Sequence, residues 1–220
     1  MIKFNEVTKV YENITALRKV SFSIEKGEFT FVTGPSGAGK STLLKLIYLA
    51  EKPDEGSISI AGWETLSLKE KAIPFVRRNI GIVFQDFKLL PNKNVYDNIA
   101  IALRIRGVKE SEIKSRVHEA LKLVNLRHKT ESFPSALSGG EQQRVTIARA
   151  IVGEPTVLIA DEPTGNLDVD NTAGIMRIFR EINAKGTTII FATHNMELVK
   201  NTGLRVLKLD NGNLVRDERA

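Results

Sequence analysis

The stretch that most narrows what this chain can become is GPSGAGKST, residues 34–42. It fits the spacing G-x-x-x-x-G-K-[ST]. An apolar run, FTFVT, precedes it and an apolar-periodic segment, STLLKLIYLA, begins at its end. Glycines let backbone N–H groups turn inward around anionic oxygens, and a helix starting near Lys40 adds its positive end. Gly34, Ser36, Gly37, Ala38, Gly39 and Thr42 would cradle phosphates. Lys40 would reach the β- and γ-phosphates, and the Ser41 hydroxyl would bind Mg²⁺. With ordinary glycine usage such a match arises by chance in about one chain in a hundred of this length. The strand before it and the helix after it supply the required context.

A second element supports a nucleotide site. VLIADE, residues 157–162, reads as a buried strand ending in two carboxylates. The first, Asp161, can hold Mg²⁺ through water. The second, Glu162, is placed to orient or deprotonate an attacking water.

The remaining pattern surrounds these two strands with an α/β core. IKFNEV, LRKVSFSI and GSISIAG alternate as half-buried strands do, with Gly27 and Gly62 marking turns, so a small antiparallel sheet is expected near the N-terminus. GIVF, TVLIAD and TTIIFAT are apolar on both faces, as buried parallel strands are. Between about 92 and 140 the period changes. NVYDNIAIALRI and SEIKSRVHEALKLVNL read as helices, the second with Ile113, Val117, Ala120, Leu121 and Val124 on one face. The expected organisation is one domain over 1–220, with a helical subdomain inserted in a mainly parallel α/β core.

Composition removes several alternatives. The 220 residues are 42% hydrophobic and 26% charged, an ordinary globular balance. With no Cys, disulfides are excluded. The N-terminus has no apolar signal-peptide core, and runs such as IAIAL fall far short of the ~20 residues of a membrane span. The net charge of +6 is spread along the chain with only short clusters such as Arg77-Arg78. That is a solvated surface, and no direct nucleic-acid partner is expected.

LSGGEQQR, residues 137–144, places a Ser and two Gly before a further helix. From the residues alone, Ser138 reads either as an N-cap or as part of a second anion site. The full set, GPSGAGKST, Gln85 after a strand, LSGGEQQR, VLIADEP, GNLD and ATH, resembles the ATP-binding cassette (ABC) ATPases over essentially the whole chain. The resemblance implies a head-to-tail homodimer, in which Ser138, Gly139 and Gly140 of one copy close on ATP held by the other. It further implies that Tyr11 stacks on adenine, Gln85 senses Mg²⁺ and the water, His194 contacts the γ-phosphate, and Asp168 belongs to a loop crossing the interface. Asn195 departs from the Asp often found after that His.

Within that family, a long inserted coiled coil, a second cassette and a C-terminal regulatory domain would mark other branches, and none is expected here. The stretch PFVRRNIGIVFQDFKLLP resembles the cell-division branch. That likeness implies an FtsX-like integral membrane protein as partner, possibly other division proteins, and a peripheral place on the cytoplasmic face of the membrane. A lipoprotein-releasing or macrolide-type export subunit is the alternative, and a free nucleotide-binding regulator a further one. Phe87, Leu89 and Leu90 would line the groove for the membrane partner, or else pack the helical insertion.

Overall fold

The structure is a computed structural model and describes residues 1–219. The chain begins with an antiparallel pair, β1 (Ile2–Tyr11) and β2 (Ile14–Ile24). Ile2 faces Ile24 and Phe4 faces Phe22 across it, and the Phe4 and Phe22 rings stack with centroids 4.6 Å apart. Next come β3 (Phe29–Thr33), buried throughout, and α1 (Lys40–Ile47). β4 (Glu55–Ile60) returns to pair with β1, and β5 (Trp63–Glu64) completes a four-stranded antiparallel sheet ordered β2-β1-β4-β5.

The short α2 (Ile73–Arg77) leads into β6 (Ile80–Val83). Three helices follow: α3 (Val95–Ile105), α4 (Glu110–Leu123) and α5 (Gly139–Ile151). The chain then runs through β7 (Val157–Asp161), α6 (Val169–Ala184), β8 (Thr188–Thr193), β9 (Arg205–Asp210) and β10 (Asn213–Arg219).

The second sheet has six strands in the order β10-β9-β3-β8-β7-β6. All neighbours are parallel except the β9–β10 hairpin. Alternation assigns its two faces. Phe29, Phe31, Leu158, Ala160, Ile189 and Phe191 meet the apolar sides of α3, α4, α5 and α6. Val32, Val157, Ile159, Ile190, Ala192 and Leu207 meet α1 and the antiparallel sheet. This is the α/β class expected, with its N-terminal antiparallel sheet and helical segment.

One part goes beyond the sequence reading. RVLKLDNGNLVRDER, to which that reading assigns no element, is two strands. β9 takes a place in the parallel core beside β3, and Val206, Leu207 and Leu209 are buried.

The register decides where chemistry can occur. Thr33 pairs with Thr193, Asp161 with Ala192, and Val83 with Ala160. The carboxyl ends of β3, β6, β7 and β8 therefore align at one edge, the place where open parallel sheets bind ligands.

Candidate nucleotide site

At that edge a cleft of about 950 Å³ opens. It is lined by Pro35, Ser36, Gly37 and Gly39 of the loop after β3, by Lys40, Ser41 and Thr42 at the start of α1, by Gln85 after β6, by Asp161 and Glu162, and by His194 after β8. The loop is wedged between neighbours. A Cβ on Gly34 would lie 2.3 Å from the Leu209 carbonyl oxygen, and one on Gly39 would lie 2.5 Å from that of Ala16. Both residues have positive φ, so two independent constraints require glycine there. Ala38 buries its methyl in the core and accepts from the Gly212 N–H at 3.2 Å.

Lys40 is only 8% exposed. Its ammonium donates to the Gly34 and Pro35 carbonyls at 2.7 and 3.1 Å and lies 3.7 Å from Glu162 Oε1. Burial pushes the Asp161 carboxyl above the usual range. A hydrogen bond from Ser41 works against that rise, Glu162 adds to it, and Lys40 opposes it. A carboxylate so poorly solvated, joined to a hydroxyl and lining one cleft with the Gln85 amide, is a hard-oxygen donor set that suits Mg²⁺.

Glu162 sits in the left-handed conformation, φ 48°, where residues with a side chain are uncommon. Its N–H donates to Ala192 at 3.0 Å. Both carboxylate oxygens engage His194: the backbone N–H donates to Oε2 at 3.3 Å, and Nδ1 lies 2.9 Å from Oε1. The carboxylate is nearly buried, while the imidazole is 64% exposed and belongs to the cleft lining.

Ser138, Gly139, Gly140 and Asp168 do not line this cleft. They form a second cluster. Ser138 caps α5 in a reciprocal box, accepting from Glu141 N–H at 3.3 Å while its own N–H donates to Glu141 at 2.8 Å. A Cβ on Gly140 would strike Asn171 Oδ1 at 2.4 Å. Asn171 is in turn held by Asp168, which accepts from its backbone and side-chain nitrogens at 2.8 and 2.7 Å. The Ser-Gly-Gly turn and the Asp168 loop are thus joined within one copy.

Tyr11 lies at the end of β1, outside the cleft lining; its hydroxyl is buried with no partner among the described residues, and the Lys9 ammonium lies 5.3 Å from its ring centroid. Asp54 and Glu51 hold that ammonium at 3.3 and 3.7 Å, tying the ring to the segment before β4. Sequence reasoning missed lining residues: Asn13 at the β1–β2 turn, Ile14, Thr15, Ala16 and Arg18 of β2, and Asn211 at the β9–β10 turn. Ile14, 72% exposed, is the apolar side chain presented there.

Beside Gln85 a separate groove of about 520 Å³ is lined by Asp86, Phe87, Lys88, Leu89 and Pro91, with Pro134, Ser135, Gln142 and Asn166 opposite. Leu90 is not in its lining.

Comparison with known proteins agrees with this geometry. The ABC transporter family matches residues 17–165. Cell division ATP-binding protein FtsE of Bacillus subtilis is 55% identical over 219 residues, covering 99% of this chain and 96% of that protein. Its counterpart from Streptococcus pneumoniae is 54% identical over 219 residues, covering 99% and 95%. That of Escherichia coli is 50% identical over 215 residues, covering 97% of both. Among solved structures, the ATP-binding cassette MJ0796 in a dimeric post-hydrolysis state bound to ADP and Pi has a TM-score of 0.89 at 35% identity, covering 100% of this chain and 98% of that one. This chain belongs to the ABC transporter family, as one of its ATPases.

Proposed function

We propose that this chain is the ATP-hydrolysing subunit of a membrane-associated complex that regulates bacterial cell division and cell-wall hydrolysis through an integral membrane partner of the FtsX type. The observation that carries this reading is the agreement of relatives from three bacteria, 50–55% identical over nearly their whole lengths and all described as cell division ATP-binding proteins. Among the described residues no helix is long and apolar enough to cross a membrane. The chain would therefore sit peripherally on the cytoplasmic face and reach the membrane through its partner.

In the cleft, Lys40 and the loop N–H groups bind the triphosphate. Ser41, Asp161 and Gln85 would hold Mg²⁺, which would neutralise charge on the phosphate oxygens. Glu162 takes the proton from the attacking water as the water oxygen bonds to the γ-phosphorus and the bond to the β–γ bridging oxygen breaks. His194 orients the Glu162 carboxylate and reaches the γ-phosphate from the exposed side. Ser138, Gly139 and Gly140 complete the site from a second copy, with Asp168 beside them, because one copy keeps them out of its own cleft. ATP then closes the pair and hydrolysis releases it, and this cycle is the signal passed to the membrane.

Affinity capture of the Glu162→Gln form with ATP from gently solubilised membranes, read by mass spectrometry, tests the proposal. Recovery of a four-span protein with an extracytoplasmic domain, together with wall hydrolases or division proteins, is expected. Recovery of a lipoprotein-releasing or drug-efflux permease would overturn the division role and leave the ATPase chemistry in place.

A further inference from the structure

Arg149 of α5 is a partly buried cation with no acidic neighbour to balance it among the described residues. Burial alone lowers its pKa. Its planar guanidinium forks onto two consecutive carbonyls, donating through Nη2 to Phe87 at 2.8 Å and through Nη1 to Lys88 at 2.7 Å. Hydrogen bonds from an ionised donor are the strong kind, and a fork reaches two acceptors where an ammonium presents a point charge. One carbonyl belongs to a strained residue: Lys88 has φ 51°, in the left-handed region.

A second buried polar side chain holds the same segment further along. Asn98 of α3 accepts from the Leu90 N–H at 2.7 Å and donates to the Leu90 carbonyl at 3.1 Å. The stretch after Gln85 is therefore fastened to the helical layer at two points, each through main-chain atoms. Gln85 lines the cleft two residues before the first fastening. The helix that makes that fastening begins with the Ser138 cap.

We infer that Arg149 is a positioning residue: its grip on the Phe87 and Lys88 carbonyls ties the Gln85 segment to α5, so that the place of Gln85 in the cleft follows the place of the Ser-Gly-Gly turn. The inference rests on the reading of Gln85 as a group that meets Mg²⁺ and the water. Its consequence is mechanical. A shift of α5 on closing against a second copy is delivered to Gln85 through one side chain, and a partner pressing on the 86–91 groove is felt by α5 along the same link.

The test is an Mg²⁺ titration of ATPase activity in the full chain, with kcat and KM for ATP, for Arg149→Met, Arg149→Lys, Gln85→Ala and the Arg149→Met/Gln85→Ala pair. Arg149→Met is expected to lower kcat about tenfold and raise the half-saturating Mg²⁺ about threefold, with KM for ATP within about twofold. Arg149→Lys should fall between Arg149→Met and the parent protein. The pair should match Gln85→Ala alone, because residues acting through one another are not additive.

Should Arg149→Met fail to fold, Arg149→Lys carries the same comparison. A normal Mg²⁺ midpoint in a folded Arg149 variant while Gln85→Ala shifts it would overturn the inference. So would additive losses in the pair. An unshifted midpoint in Gln85→Ala would instead refute the reading of Gln85 on which the inference stands.

Discussion

His194 Nδ1 lies 2.9 Å from Glu162 Oε1, and Lys40 Nζ lies 3.7 Å from the same oxygen. Side chains from the start of α1 and from the end of β8 thus converge on a carboxylate at the end of β7. The convergence follows from the parallel register, which aligns those strand ends, and from the left-handed turn at Glu162. The Lys40 ammonium and the His194 imidazole thus share one oxygen of Glu162.

His194→Ala removes the Nδ1 contact and leaves the backbone N–H bond to Oε2. Orientation of a general base contributes part of the 10²–10⁴-fold typical of such catalysis. The expected fall in kcat is roughly 10- to 100-fold, with nucleotide affinity within about threefold, measured by steady-state turnover and equilibrium binding of ATP.

Asp161→Asn should separate binding from stability. The folded pKa of Asp161 is raised, chiefly by burial. The folded protein therefore binds this proton more tightly than the unfolded chain, and the ionised form costs stability near neutral pH. That cost is absent once the pH falls below the ordinary carboxylate range. The nucleotide-free Asn variant should melt above the parent at about pH 7, with the gap closing toward about pH 3 to 4. Mg²⁺-dependent turnover should be lost at every pH. Thermal melts across pH and an ATPase assay check both halves.

Ser138 has two roles that can be pulled apart. Ser138→Ala loses the cap and should cost about 1 kcal/mol of stability. Ser138→Asp keeps a good cap but sets a carboxylate where a second copy's phosphates would come. It should melt near the parent temperature and yet have no ATP-driven dimer and almost no turnover. Retained turnover in Ser138→Asp would confine this residue to capping.

Much of this site was legible in the sequence because its parts are local. A glycine-rich loop, a strand ending in Asp161 and Glu162, and Ser138 with Glu141 three residues later each carry their own signal. The β9–β10 hairpin is not evident in the sequence because Arg205, Lys208 and Asp210 break up its apolar residues. The signal that could have found it is Asn211-Gly212: both have positive φ, as a two-residue hairpin turn of that kind requires. The miss bears on the site, since Asn211 lines the cleft and Gly212 donates to Ala38 in the phosphate loop. The role of Tyr11 rests on likeness alone, and no local pattern shows that Lys9, held by Asp54 and Glu51, lies over its ring. The left-handed turn at Glu162 has no sequence signal either, because glycine is the residue expected there.

The central claim is that each ATP is enclosed by Lys40 and Glu162 of one copy and by Ser138, Gly139 and Gly140 of another. Sedimentation of Glu162→Gln tests it most directly, in ATP with Mg²⁺ and again in ADP. A dimer with ATP, a monomer with ADP, and turnover reduced at least about a hundredfold are the results the account predicts. A Glu162→Gln protein that binds ATP fully and stays monomeric, or that turns over at the parent rate, would contradict it.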